Sequence, residues 1–280
     1  MNPVLSELHI YPVKGARGIA VQEVLVEPRG LADDRRFMLV DADGQFVTQR
    51  SEGRLAQLVP RLVDAETLSL ALDGVGEVRV PRLPCAGPRR NVQVWRDQVE
   101  ALDVGAEAAD FLAAGFGKAL RLVFMPEETR RRVDPAFAAP DDVVSFADGF
   151  PFLLTAEASL RDLQERVAPG TVPMARFRPN FVVRGTEPFA EHSWSRVRIG
   201  ELRFEVCKPC TRCVVVTRDQ RTGESQGKEP LRTLSTYRTW NNQPIFGENL
   251  LNRDTGVVRV GMPLRVDALR DSPMQDGSPR

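Results

Sequence analysis

Turn residues interrupt the apolar runs in the first third of this chain so often that only short strands fit between them. Residues 5–11, 21–27, 37–40 and 46–49 read as strands, with Asp41-Ala-Asp-Gly44 as the turn between the last two. Residues 68–72, 78–80, 92–95 and 99–102 continue the series. Such dense spacing favours a small barrel or sandwich. The rhythm changes at 106–114, an Ala-rich segment entered through Asp103 and Gly105 that reads as a short helix. A domain boundary near residue 120 follows. Beyond it, 120–124, 152–154, 181–183, 196–199, 202–206, 214–217, 257–260 and 264–266 read as further strands. Thr155 is placed to cap a helix carrying Leu160, Leu163 and Val167, and Pro230 suits the first turn of another through Tyr237. From Asp267 onward the Ser, Pro, Gly and Asp content predicts a frayed tail. The expected fold is β-rich α+β: a barrel-like domain over 1–120, a second β-barrel domain over 121–268 with a few covering helices, and a disordered tail over 269–280.

Lys plus Arg and Asp plus Glu balance at 38 each, so no global field draws the chain to nucleic acid or to an acidic membrane surface. The N-terminus lacks the basic stretch and apolar core of a signal peptide, and no later apolar run is long enough to span a bilayer. These features predict a cytoplasmic protein without a membrane anchor. Three of the four cysteines fall together in Cys207-Lys-Pro-Cys210-Thr-Arg-Cys213, a spacing that suggests metal or redox chemistry in a reducing compartment. An iron–sulfur cluster needs a fourth sulfur, and the distant Cys85 is the remaining one. A structural zinc site lacks a fourth ligand in the same way, with His9, His192 and Cys85 as the available choices. Cys207 and Cys210 fit a plainer reading as small semi-buried residues entering a strand. Cys213 differs: it stands where a turn meets an apolar run, beside Lys208 and Arg212, whose charges favour a thiolate suited to a soft metal.

The segment from Pro209 through Cys210-Thr-Arg-Cys213 to Gly223-Glu224 resembles the signature of MOSC domains. The likeness continues in Lys228-Glu-Pro-Leu-Arg-Thr-Leu234 and runs back through Phe177-Arg-Pro-Asn-Phe-Val-Val183 and Phe152-Leu-Leu-Thr-Ala-Glu-Ala-Ser-Leu160, in the family's order. Tyr11-Pro-Val-Lys-Gly-Ala-Arg-Gly18 and Asp34-Arg-Arg-Phe-Met-Leu-Val40 are similar to the β-barrel domain that precedes MOSC in the amidoxime-reducing subgroup. The resemblance implies a molybdenum–molybdopterin cofactor (Moco) between the barrel-like parts, with Cys213 as the metal ligand and catalytic residue. It implies that Lys14 and Arg36 hold the pterin phosphate, a task for a point charge and a forked guanidinium. Asp148, Arg178 and Asn180 would hold polar edges of the pterin.

Some positions depart from that pattern: Gly15 stands where relatives have serine, Gly149 and Phe150 replace hydroxyl-bearing residues, and Met262 replaces an aspartate. The run Arg130, Arg131, Arg132 reads as a solvated loop, and His9 and His192 receive no role. The implied activity is reduction of small N-hydroxylated substrates with electrons from a separate reductase or redox carrier. The alternatives are a molybdopterin carrier or sulfur-transfer protein without its own external substrate, and a zinc-bound or cofactor-free interaction domain.

Overall fold

The computed structural model describes residues 3–167 and 172–272. Its largest sheet runs in the order Leu264–Leu269, Trp194–Ile199, Leu202–Thr211, Gln243–Asn252, Phe152–Ala156, Phe181–Arg184, Val4–Ile10 and Ile19–Val21, with Thr239–Trp240 beside Gln243–Asn252. A four-stranded sheet is built from Phe37–Val40, Arg121–Phe124, Asp97–Asp103 and Arg89–Val94. A three-stranded one joins Gly256–Arg259 to Glu23–Glu27 and Gly30–Leu31, and another consists of Val59–Leu62, Thr67–Leu72 and Gly76–Pro81. Among the described residues no helix is long and apolar enough to cross a membrane.

Alternation explains most of these strands. Leu68, Leu70 and Leu72 face inward from Thr67–Leu72 and meet Val78 and Val80 of the next strand in the N-terminal core. Val4–Ile10 buries Leu5, Leu8 and Ile10, a spacing that strict alternation forbids; a register shift between Leu5 and Glu7 turns both leucines inward. The helix Glu157–Arg166 links Phe152–Ala156 to its parallel neighbour Phe181–Arg184, the crossover that a parallel pair requires. The helix Ala106–Phe116 ends at Gly117, whose φ of 69° closes the last turn.

The structure interlaces the two expected domains. Val4–Ile10 pairs with Phe181–Arg184, and Glu23–Glu27 pairs with Gly256–Arg259, so the first thirty residues sit largely in the sheets of the second half. Conversely Arg121–Phe124, just past the expected boundary, pairs with Phe37–Val40.

Several local expectations are corrected. The strand expected over 21–27 is two strands in different sheets, and the chain changes sheet at Gln22, whose carbonyl accepts from Val260 N–H at 2.9 Å. Residues 46–49 form no strand: Phe46 makes an isolated bridge with Val40, and the chain turns away from Thr48 onward. The valines of 214–217 make a 3-10 turn rather than a strand: Val216 N–H reaches Cys213 O at 3.1 Å, and Val216 is buried beside Phe177 and Phe246. Thr155 caps no helix; it is buried in its strand with its hydroxyl 3.3 Å from Met174 Sδ. The expected tail begins too early, since Asp267 pairs with Arg198 and the strand continues to Leu269. Arg270 then donates to Val206 O, Cys207 O and the buried Glu248 carboxylate. Positions 273–280 lie outside the described residues.

Three rings close the centre of the large sheet: Phe152, Phe181 and Phe204 have centroids 5.3–5.4 Å apart, and each is at most 1% exposed. Phe204→Ala is expected to lower stability by about 3–5 kcal/mol. Urea denaturation checks it, through a reduced midpoint at unchanged slope.

Candidate functional site

A cleft, open at its mouth, lies between the N-terminal segments and the large sheet. Lys14, Arg35, Arg50, Trp95, Asp148, Arg176, Arg178, Asn180, Cys210, Arg212 and Cys213 all contribute to its wall. Six of these side chains are lysine or arginine and one is a carboxylate, so the wall is strongly positive although the chain is neutral overall.

Lys14 leaves the first strand through Tyr11-Pro-Val and is buried, contrary to the usual solvated lysine. Its Nζ donates to Phe146 O at 2.8 Å and to Asp148 Oδ1 at 2.5 Å. Burial pulls the ammonium below its ordinary pKa, and Asp148 offsets part of that. The Asp148 side chain is 79% exposed to the open cleft. Partial desolvation there works against its charge, but Lys14 and the Trp95 indole N–H, 3.2 Å away, outweigh it and hold the carboxyl well below the usual range. Arg131 supports this loop from beneath. It is 4% exposed, pairs with Asp97 at 2.7 Å, and donates to the carbonyls of Ser145, Ala147 and Asp148. The solvated loop expected over 130–132 is therefore corrected at its middle residue: the inward-turned carbonyls of 145–148 need a donor, and Arg131 is it.

Arg36, expected at a phosphate, does not line the cleft. Its guanidinium donates to Met125 O and pairs with Glu127 at 2.7 Å, beside the Phe124 ring. Arg35 takes the inward place. It donates to both Asp34 carboxylate oxygens, to Asn180 Oδ1 at 3.0 Å and to Arg178 O at 3.2 Å. The Tyr11 ring lies 4.2 Å from the Arg35 guanidinium and 4.3 Å from that of Arg178. Burial pushes the Tyr11 phenol up to about 12, against the pull of the two guanidiniums, so it is neutral here.

Arg178 donates through Nη1 to Ala16 O at 2.6 Å, while its buried Nη2 has no partner. Asn180 is 1% exposed and its amide is committed to Arg35, Leu153 N–H and His9 O. It therefore positions Arg35 and leaves little for a ligand. Arg35, Trp95 and Arg178 share a further property: their φ values are 51°, 56° and 56°, in the left-handed region that non-glycine residues seldom adopt. Strain of this kind gathers where a wall must present side chains in set directions. Neither Trp95 nor Arg35 was expected at a site, and no local pattern announces a left-handed arginine or tryptophan.

Cys213 stands between the strand Leu202–Thr211 and the turn Val214–Thr217, half-buried in the wall with Cys210. Cys207 faces elsewhere, packed with the apolar cluster of Val133, Val144, Phe150 and Leu251; burial pushes its thiol up to about 12. Burial also raises the Cys210 thiol. The two cations expected beside Cys213 are separated: Lys208 Nζ lies 4.5 Å from the Phe137 ring centroid, outside the wall, whereas Arg212 lines it, donating to Phe246 O and Phe177 O. A half-buried thiol, a guanidinium with an unfilled donor and a lysine–carboxylate pair can together hold an anion and a soft metal.

The MOSC N-terminal beta barrel domain matches residues 2–119 and the MOSC domain residues 141–265, so both halves of the wall fall within these two modules. The chain belongs to the MOSC family, in the branch of the mitochondrial amidoxime-reducing components. It is 33% identical over 277 residues to mitochondrial amidoxime-reducing component 1 of Mus musculus, covering 93% of this chain and 81% of that protein. For component 1 of Homo sapiens the identity is 31%, covering 93% and 82%. For component 2 of Rattus norvegicus it is 32%, with the same coverage of 93% and 82%.

Two outcomes test this geometry. Asp148→Asn should lower the Lys14 pKa further, read as greater labelling of Lys14 by an amine acylating reagent at neutral pH. The stability that wild-type Asp148 contributes is present above the ordinary carboxyl range and fades as the pH falls below it; exposure limits it to about 1 kcal/mol or less. Gly15 has a φ of 80°, and a Cβ there would fall 2.5 Å from Leu55 Cδ2. Gly15→Ser should therefore cost roughly 1–3 kcal/mol, seen as a lower thermal midpoint.

Proposed function

We propose that the cleft holds a molybdenum–molybdopterin cofactor and that the protein reduces N-hydroxylated compounds with electrons from a separate donor. The observation that carries this is a thiol, Cys213, sharing one positive wall with a buried guanidinium nitrogen, Arg178 Nη2, that has no partner in the protein. An unfilled buried donor calls for an acceptor, and a phosphate or pterin oxygen meets that need. Family membership and the motif order support the same cofactor.

In this reading Lys14, Arg35 and Arg178 hold the phosphate side, Arg35 acting where the motif alone pointed to Arg36. Asp148 accepts from a pterin N–H while Lys14 keeps it ionised. Asn180 holds Arg35 in place, and Cys213 ligates the metal. When bound, the cofactor supplies a two-electron centre able to take up an oxygen atom. The overall change breaks the substrate N–O bond: two electrons from the donor and two protons from solvent leave the amine or amidine and one water. The chain's own part is to orient the substrate in a walled cleft beside Cys213. The cytoplasmic location expected from the sequence belongs to this proposal, and the four cysteines, all unpaired, are compatible with a reducing compartment.

A second reading, a molybdopterin carrier or sulfur-transfer protein, draws on Cys210, the additional thiol in the same wall. The divergence of Cys207 from Cys210 and Cys213 disfavours a three-cysteine zinc site. Protein produced in a molybdenum-replete host should carry near-stoichiometric molybdenum and pterin by elemental analysis and fluorescence. Cys213→Ser should lose the metal or all amidoxime turnover with an artificial donor. Zinc or iron without pterin in the wild type would overturn the proposal, and cofactor without turnover would favour the carrier.

A further inference from the structure

Most cations of the cleft are already engaged. Lys14 is paired with Asp148, Arg35 with Asp34, Arg212 is spent on backbone carbonyls, and Arg50 lies 4.8 Å from the Trp95 ring. Arg176 differs. Its Nη1 makes one long bond of 3.4 Å to Glu229 O, its buried Nε has no partner, and it forms no ion pair among the described residues. Nε and Nη2 are the pair that grips a planar carboxylate side-on, and both are uncommitted. The short turn Met174–Arg176 packs against Val214–Thr217, the turn that follows Cys213, and Arg176 and Cys213 line the same cleft. Burial pulls its pKa down, the charge of Asp219 offsets only part of that, and a further anion in the cleft would restore more.

The charge count points the same way. Of the six cations, Lys14 is matched by Asp148 and Arg35 by Asp34, which leaves four in the wall without a carboxylate in ion-pair contact. A phosphate monoester carries at most about two negative charges. Filling the phosphate place still leaves the wall positive, which penalises a cationic substrate and favours an anionic one.

We propose that the substrate carries a carboxylate that Arg176 binds, with its N-hydroxylated end directed toward Cys213. This rests on the reductase reading of the cleft and narrows its substrate class, since a simple amidoxime has no such charge.

The test compares benzamidoxime with 4-carboxybenzamidoxime on cofactor-loaded protein, by turnover with an artificial donor and, separately, by equilibrium binding in a calorimeter. The carboxylated compound should show a KM and a Kd lower by about tenfold, the scale of one charge-assisted bidentate contact. Arg176→Gln should erase that difference by weakening the carboxylated compound, and Arg176→Lys, which keeps the charge but not the fork, should restore part of it. Equal constants in the wild type, or a preference that survives in Arg176→Gln, would overturn the carboxylate assignment while turnover of either compound leaves the reductase reading intact. Tighter binding that depends on Arg176, with turnover of neither compound, would support the carboxylate site and overturn the reductase reading.

Discussion

The rest of the cleft depends on one buried carboxylate. Asp34 is 1% exposed, accepts from Tyr11 N–H at 2.8 Å and binds the Arg35 guanidinium through both oxygens. Burial pushes its carboxyl up, and Arg35 and the Tyr11 N–H work against that. Without this negative charge, Arg35 and Arg178 would crowd the Tyr11 ring as two cations with no compensation, an arrangement that a low-dielectric interior does not tolerate. With it, the fork of Arg35 reaches on to Asn180 Oδ1 and Arg178 O and ties the segment 177–180 to the first strand. A side chain buried for charge balance thus sets the direction of two cavity-lining guanidiniums.

That arrangement is possible because the chain folds back across itself. The first strand belongs to the large sheet, pairing with Phe181–Arg184, so Lys14 and Arg35 are delivered to the same cleft as Arg178 and Cys213 although they lie far apart in sequence. The side chains sit on segments leaving the strands, such as the Trp95 turn and the loop at 145–148, where backbone direction is free of the sheet ladder. The strands below supply rigidity through the stacked rings of Phe152, Phe181 and Phe204.

Much of this was legible in sequence, and the reasons for the rest are local. Lys14, Asp148, Arg178 and Cys213 stand in ordered motifs, and all four line one cleft. Arg35 and Arg36 could not be told apart by alternation, because the strand begins only at Phe37 and Arg35 adopts a left-handed backbone before it. Arg131 was hidden in a run of three arginines that reads as solvated; the carbonyls that take it inward come from residues 145–148. Arg176 and Trp95 carry no motif at all. The valines at 214–216 have strand propensity, but the place of Val216 against Phe177 and Phe246 overrides it.

The sequence by itself determined the β-rich architecture and the order of the two modules, because alternation, turn chemistry and motif order are properties of short segments. The tertiary structure decided which arginine turns inward, how the two halves interlace, and which guanidiniums are left with unfilled donors. Those depend on where distant carbonyls and carboxylates come to rest: a buried charge takes its direction from its partners, and its partners are neighbours in space rather than along the chain.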